Sequence, residues 1–153
     1  SELHSALLSF LGEVARHDAG ASVDVLAAVI KDGDRYLVCR RPAGTRHAGL
    51  WEFPGGKIQA GETRPQAASR ELREELDLRL VHLGETVCSH RDPGSPYLVH
   101  FVEVEVEGSP TVLEHDEMRW VTAEELPVLS LAPADRAFAN RLGGSSTREA
   151  PSA

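Results

Sequence analysis

The stretch that most restricts this chain is the helix announced by Thr63-Arg64-Pro65-Gln66, together with the glycine loop before it. Thr63 stands at an N-cap position, Pro65 lies in the first turn, where a missing N–H costs nothing, and Gln66 takes the capping-box position. The pattern predicts a helix to about Leu76. Ala68, Leu72 and Leu76 then form a stripe that can be buried. Glu71, Glu74 and Glu75 share an arc of roughly 100° beside it, with Glu71 and Glu75 about 6 Å apart along the axis. Like charges so placed destabilise a bare helix by about 0.2–0.5 kcal/mol per pair. Two readings compete. In one, the helix face is solvated and Arg70 and Arg73 offset the acids. In the other, a hard divalent cation turns the repulsion into binding, because Mg²⁺ and Mn²⁺ favour carboxylate oxygens. The loop Pro54-Gly55-Gly56 favours the second, since paired glycines allow close backbone approach to a ligand and offer a carbonyl as a further metal ligand.

The remaining pattern surrounds this helix with strands. Val23 to Ile30 reads as a buried strand, and Asp32-Gly33 as the turn of a hairpin into Arg35-Tyr36-Leu37-Val38-Cys39. A loop over Pro42 to Gly49 leads to a short apolar segment at Trp51-Glu52-Phe53. Strands are expected over Arg79 to Val87 and Tyr97 to Val106, where Val102, Val104 and Val106 alternate with outward-facing glutamates. A last strand at Met118 to Val121 is followed by a brief helical turn capped by Thr122 and a closing helix from Ala134 to Leu142. Apolar residues between Leu3 and Val14 recur at helical spacing, so residues 1–20 read as an added amphipathic helix. Residues 143–153 are expected to form a disordered tail.

Composition excludes several classes. A chain of 153 residues suits one domain. No apolar run approaches the ~20 residues needed to span a bilayer, so no membrane partner is expected. The net charge of −8 disfavours a nucleic-acid polymer as partner, while leaving room for a local cation site. Two cysteines, Cys39 and Cys88, suit neither a disulfide scaffold nor a zinc site and fit a reducing compartment. Ser1-Glu2-Leu3-His4 lacks the look of a secretory signal, which makes a cytoplasmic location the expectation. The pattern is compatible with a monomer or a homodimer.

Gly56, five residues, Glu62, seven residues, then Arg70-Glu71-Leu72-x-Glu74-Glu75 resembles the signature of the Nudix hydrolases. The exception is Asp77, where the family has glycine at the helix C-terminus; aspartate tolerates the left-handed conformation, so a small stability cost with retained activity is expected. The likeness extends over roughly residues 23 to 142 and is nearest to the MutT-like branch, through the run Gly49-Leu50-Trp51-Glu52-Phe53-Pro54-Gly55-Gly56-Lys57. It implies an α/β/α sandwich around a mixed β-sheet and hydrolysis of a nucleoside diphosphate linked to another moiety. It further implies a metal site of Glu71, Glu74, Glu75 and the Gly56 carbonyl, with Glu71 as general base oriented by Arg70. Gly55 and Glu62 would be structural, Glu62 fixing the loop against the helix. A further carboxylate six positions before a tryptophan falls on Glu114, before Trp120, with Glu117 as fallback.

The substrate is less constrained. Leu131-Ala132-Pro133-Ala134-Asp135 resembles the base-recognition segment of the MutT-like branch and the matching run of CTP pyrophosphohydrolases. An ionised aspartate only accepts hydrogen bonds, which suits the amino donors of cytosine or of 8-oxoguanine; Asp135 as a first-turn acid of the closing helix is the competing reading. Arg41 aligns with a purine-contacting position of that branch, and Arg41 or Arg46 could instead hold phosphates. Phe53 is either a wall of the base pocket or plain core packing, and Glu52 either supports the metal ligands or is an ordinary loop residue. His90 and Arg91 are expected on a loop able to close over a nucleotide, and His115 in a simple loop role. The resemblance therefore implies a Mg²⁺-dependent, or Mn²⁺-dependent, nucleoside triphosphate pyrophosphohydrolase acting on 8-oxo-dGTP or cytidine nucleotides. Hydrolysis of ADP-ribose, nucleotide sugars or dinucleotide polyphosphates is the alternative. A non-catalytic nucleotide-binding regulator is disfavoured, because every box carboxylate is present.

Overall fold

In the computed structural model, which describes residues 22–152 and side-chain surroundings up to residue 143, two four-stranded sheets lie between two helices. The expected N-terminal helix lies outside the described residues. Eight strands form: β1 (Val23–Val29), β2 (Lys31–Asp32), β3 (Arg35–Arg40), β4 (Trp51–Glu52), β5 (Gly55–Lys57), β6 (Arg79–Arg91), β7 (Tyr97–Glu107) and β8 (Glu117–Thr122). Helix α1 (Arg64–Leu76) follows β5, and α2 (Pro133–Ser152) closes the chain after a short 3₁₀ turn at Leu126–Val128.

The first sheet has the order β5-β1-β7-β6 and is mixed: β1 runs parallel to β7, while β5 and β6 are antiparallel to their neighbours. The second joins β2, β3 and β4, with β8 also paired to β3. Strand periodicity decides which helix each residue meets. Ala27, Val29, Val99 and Phe101 pack with Phe138 and Ala139 on the α2 side, whereas Ala28, Ile30 and Val104 pack with Leu72 and Leu76 on the α1 side. Glu103, Glu105 and Glu107 are exposed, as their alternation with valines predicts.

Three elements depart from expectation. The strand beginning at Val23 does not form one long hairpin with β3, because the chain changes sheets at Ile30 and only Lys31–Asp32 pairs with Arg35–Tyr36. Strand β6 extends through His90 and Arg91, which corrects the loop expected there; bulges let its register shift against β7. Helix α2 continues to Ser152, past the tail expected from residue 143. Ser145, Ser146, Thr147, Arg148, Glu149 and Ala150 all accept helical backbone, and each glycine before them costs only about 1 kcal/mol relative to alanine.

Helix α1 forms as its sequence predicts. Thr63 caps the Gln66 N–H at 3.2 Å and Gln66 returns the bond to the Thr63 N–H at 2.9 Å. The helix ends on Asp77 in the left-handed region, φ 57°, with the Leu78 N–H bonded to the Leu72 carbonyl at 3.1 Å. Because aspartate bears a Cβ in a conformation that glycine adopts freely, Asp77→Gly is expected to raise stability by about 0.5–1 kcal/mol. Thermal unfolding checks this; a lower midpoint for the glycine variant would contradict the cap assignment.

Candidate active site

The two glycines are demanded by the protein's own atoms. A Cβ on Gly55, φ 152°, would stand 1.8 Å from the Leu26 carbonyl oxygen of β1, and one on Gly56 would stand 2.3 Å from Glu71 Oε2. Strand β5 can therefore lie against β1 on one side and receive α1 carboxylates on the other. Glu75 is buried at 6% exposure and accepts the Gly55 N–H at 3.1 Å. Burial, the hydrogen bond and charge of Glu71, and the charge of Glu52 push the Glu75 carboxyl up to about 10 against the opposing Gly55 N–H. Glu71 and Glu75 thus stand as a carboxylate pair beside a backbone that no side chain crowds.

Arg70 organises the exposed side of this pair. Its Nε donates to Glu62 at 2.6 Å, Nη1 to Glu71 at 2.8 Å, and Nη2 to both Glu62 and the Lys57 carbonyl at 3.0 Å. Glu62 also accepts the Gln59 N–H at 2.9 Å. The Arg70 fork, helped by that N–H, holds the Glu62 carboxyl down to about 2. Glu74 is exposed, with Oε1 3.4 Å from Arg70 Nη1, and Glu114 is exposed on the segment before β8. Among the described residues no three carboxylate, imidazole or thiol groups converge on one point, so the fold brings together Glu71, Glu75 and Gly56 and leaves Glu74 and Glu114 exposed outside that group. Glu117, the fallback, pairs with Arg40 at 3.2 Å instead. The donor set suits a hard cation: oxygen ligands only, a surplus of negative charge, and a proton that a divalent ion would replace.

A cleft of about 370 Å³ opens from this loop. Gly55, Gly56 and Lys57 border it, as do Arg41, Arg46, Glu52, Phe53 and Asp135. Arg41 forks onto Glu52, Nη1 lying 3.0 and 3.1 Å from the two oxygens. Phe53 is 2% exposed and meets Phe101 and Phe138 edge-on, so its ring belongs to the core while its N–H, 2.9 Å from Asp135 Oδ2, faces the cleft wall. Asp135 sits in the first turn of α2. Burial, then the charge of Glu52, raises its carboxyl well above the usual range against the Phe53 N–H.

Other cleft residues were not legible in the sequence. Asp92, buried in the β6–β7 turn, accepts from Arg46 Nε at 2.9 Å and from His47 Nε2 at 3.1 Å. Burial pushes the Asp92 carboxyl up, but those two bonds outweigh it and hold it below its ordinary value. Asp92-Pro93-Gly94-Ser95 reads only as a turn; nothing in it signals a buried acid. Lys57 Nζ lies 5.2 Å from the Tyr97 ring centre, both at the cleft. His90 instead packs its ring on Phe101, and Arg91 donates to Ser22 at 3.1 Å, so neither covers the cleft.

The NUDIX domain family model matches residues 21–142. The chain belongs to the Nudix hydrolases. It is 40% identical over 116 residues to a CTP pyrophosphohydrolase of Escherichia coli strain K12, covering 74% of this chain and 85% of that protein. A putative 8-oxo-dGTP diphosphatase 2 of Mycobacterium tuberculosis is 37% identical over 121 residues, covering 74% and 83% of the two chains. The solution structure of the E. coli ORF135 protein superposes with a TM-score of 0.67 at 36% identity, covering 78% of this Nudix chain and 87% of that one. Among the described residues no helix is long and apolar enough to cross a membrane.

The electrostatics of Glu75 set a pH test. Its folded-state pKa lies above the unfolded value of 4.5, so the folded protein binds the extra proton between 4.5 and about 10 and stability falls as pH rises through that window. Denaturant unfolding in chelator at pH 5 to 9 should show this slope in the wild type and a flatter one in Glu75→Gln; equal slopes would contradict the assignment. Gly56→Ala, whose Cβ would stand 2.3 Å from Glu71 Oε2, is expected to displace that carboxylate and cut turnover by about 100-fold or more while circular dichroism stays native.

Proposed function

We propose that this Nudix hydrolase is a Mg²⁺-dependent nucleoside triphosphate pyrophosphohydrolase that releases a nucleoside monophosphate and pyrophosphate, acting on 8-oxo-dGTP or cytidine nucleotides. The observation that carries this reading is the continuity of one cleft from Gly56, beside Glu71, to Asp135. A nucleotide lying along it has its phosphates by the carboxylates and its base by Asp135. Two relatives, named a CTP pyrophosphohydrolase and a putative 8-oxo-dGTP diphosphatase 2, agree with such substrates.

Glu71, Glu74, Glu75, the Gly56 carbonyl and Glu114 would hold the metal. When bound, Mg²⁺ or Mn²⁺ neutralises charge on the phosphate oxygens and acidifies water. Glu71 accepts the proton of the attacking water, oriented by the Arg70 bond to its Oε2 at 2.8 Å. Glu62 fixes Arg70 and, through it, the carbonyl of Lys57. Arg41 and Arg46 face the nucleotide, and the Phe53 N–H holds one oxygen of Asp135 so that the carboxyl meets the base edge in a fixed orientation. Two free cysteines, one buried, suit the reducing cytoplasm.

Incubation with Mg²⁺ and a panel of CTP, dCTP, 8-oxo-dGTP, dGTP, ADP-ribose and diadenosine polyphosphates tests the reading. Monophosphate and pyrophosphate are the expected products, and turnover of ADP-ribose alone would overturn it. Glu75→Gln should lose about 100-fold or more in kcat while remaining folded. Asp135→Asn, which brings an N–H donor to the base edge, should shift the ratio of cytosine to 8-oxoguanine turnover. Asp135→Leu should lose that discrimination, and an unchanged ratio in both variants would remove Asp135 from base recognition.

A further inference from the structure

His115 lies between β7 and β8, yet its side chain is only 5% exposed. Its Nε2 stands 2.9 Å from Glu52 Oε2, the same carboxylate that Arg41 grips at both oxygens. A carboxylate accepts only, so the imidazole hydrogen that makes this bond is on Nε2. The other nitrogen, Nδ1, is buried with no hydrogen-bond partner. Burying an unpaired polar atom costs free energy that an apolar residue of similar size would not. The one polar contact at Nε2 is therefore what distinguishes histidine from a mere filler at this position.

The surrounding backbone gives that contact reach. Thr111 and Leu113 donate to the carbonyls of Leu76 and Glu75 at 2.9 and 3.0 Å, and Asp116 donates to that of Arg40 at 3.1 Å. The segment carrying Glu114 is thus laid against the last turn of α1 and the end of β3, and His115 ties it to β4. Glu52 in turn stands where its charge acts on both Glu75 and Asp135, at the two ends of the cleft.

We propose that His115 is a positioning residue: its Nε2–H fixes Glu52, which sets Arg41 in the cleft, and holds the Glu114 segment beside α1. The proposal rests on the function proposed above, but part of its test does not. Glutamine places an amide nitrogen where Nε2 stands, whereas asparagine reaches only the position of Nδ1. His115→Asn should lower kcat/KM by about ten-fold, chiefly through KM, and His115→Gln should stay within about two-fold of wild type. The substrate is whichever member of the panel the wild type hydrolyses. In a Glu52→Gln background His115→Asn should add no further loss, because the two residues act through one contact. In the free protein, ¹⁵N shifts of the His115 ring should show hydrogen on Nε2. Equal losses for the two variants, additive losses in the double variant, or a bare Nε2 would each overturn the proposal. If no nucleotide is hydrolysed, the function falls separately and the ¹⁵N shifts still decide the contact.

Discussion

The site depends on a close approach that only glycine permits. Gly55 lets β5 sit on the Leu26 carbonyl of β1, and Gly56 leaves the space that Glu71 fills. Any side chain at either position would push the strand off the sheet or the carboxylate off the strand. With the strand in place, α1 docks Leu72 and Leu76 into the core and delivers Glu75 to the Gly55 N–H. Sheet register and the carboxylate pair are consequently one packing problem.

The second constraint is the charge enclosed by that packing. Glu75 and Asp135 are buried acids, and the charge of the half-buried Glu52 raises the cost of ionising both. The protein meets this cost differently at each acid. Arg41 and His115 compensate Glu52 directly. Burial raises the Asp135 carboxyl, which accepts the Phe53 N–H, and the Glu75 carboxyl, which accepts the Gly55 N–H. A divalent cation would offset the last of these, which gives the negative charge of the chain, −8, a local purpose. The cationic side of the cleft is equally organised, since Arg46 and His47 both bind Asp92 and Arg46 also reaches the Pro93 carbonyl.

Local signals made much of this legible. The capping box, the amphipathic stripe of α1 and the valine–glutamate alternation of β7 each follow from residue spacing, so the elements formed where their periodicities placed them. Asp77 took the left-handed conformation that its place at the helix end demands. The sheet change at Ile30 and the extension of β6 were not legible, because strand pairing is chosen by partners distant in sequence. For the same reason Asp92 read as a turn residue and His115 as a loop residue.

The sequence by itself determined the helix, the grouping of Glu71, Glu74 and Glu75 on one face, and the glycine pair before them, since these rest on interactions within a few residues. It also determined the family, through the spacing of those residues. Only the tertiary structure decided which carboxylates are buried, which are held above or below their ordinary range, and which basic group each one meets. Those properties are set by desolvation and by contacts between β4, α1, α2 and the β6–β7 turn, which chain order does not encode.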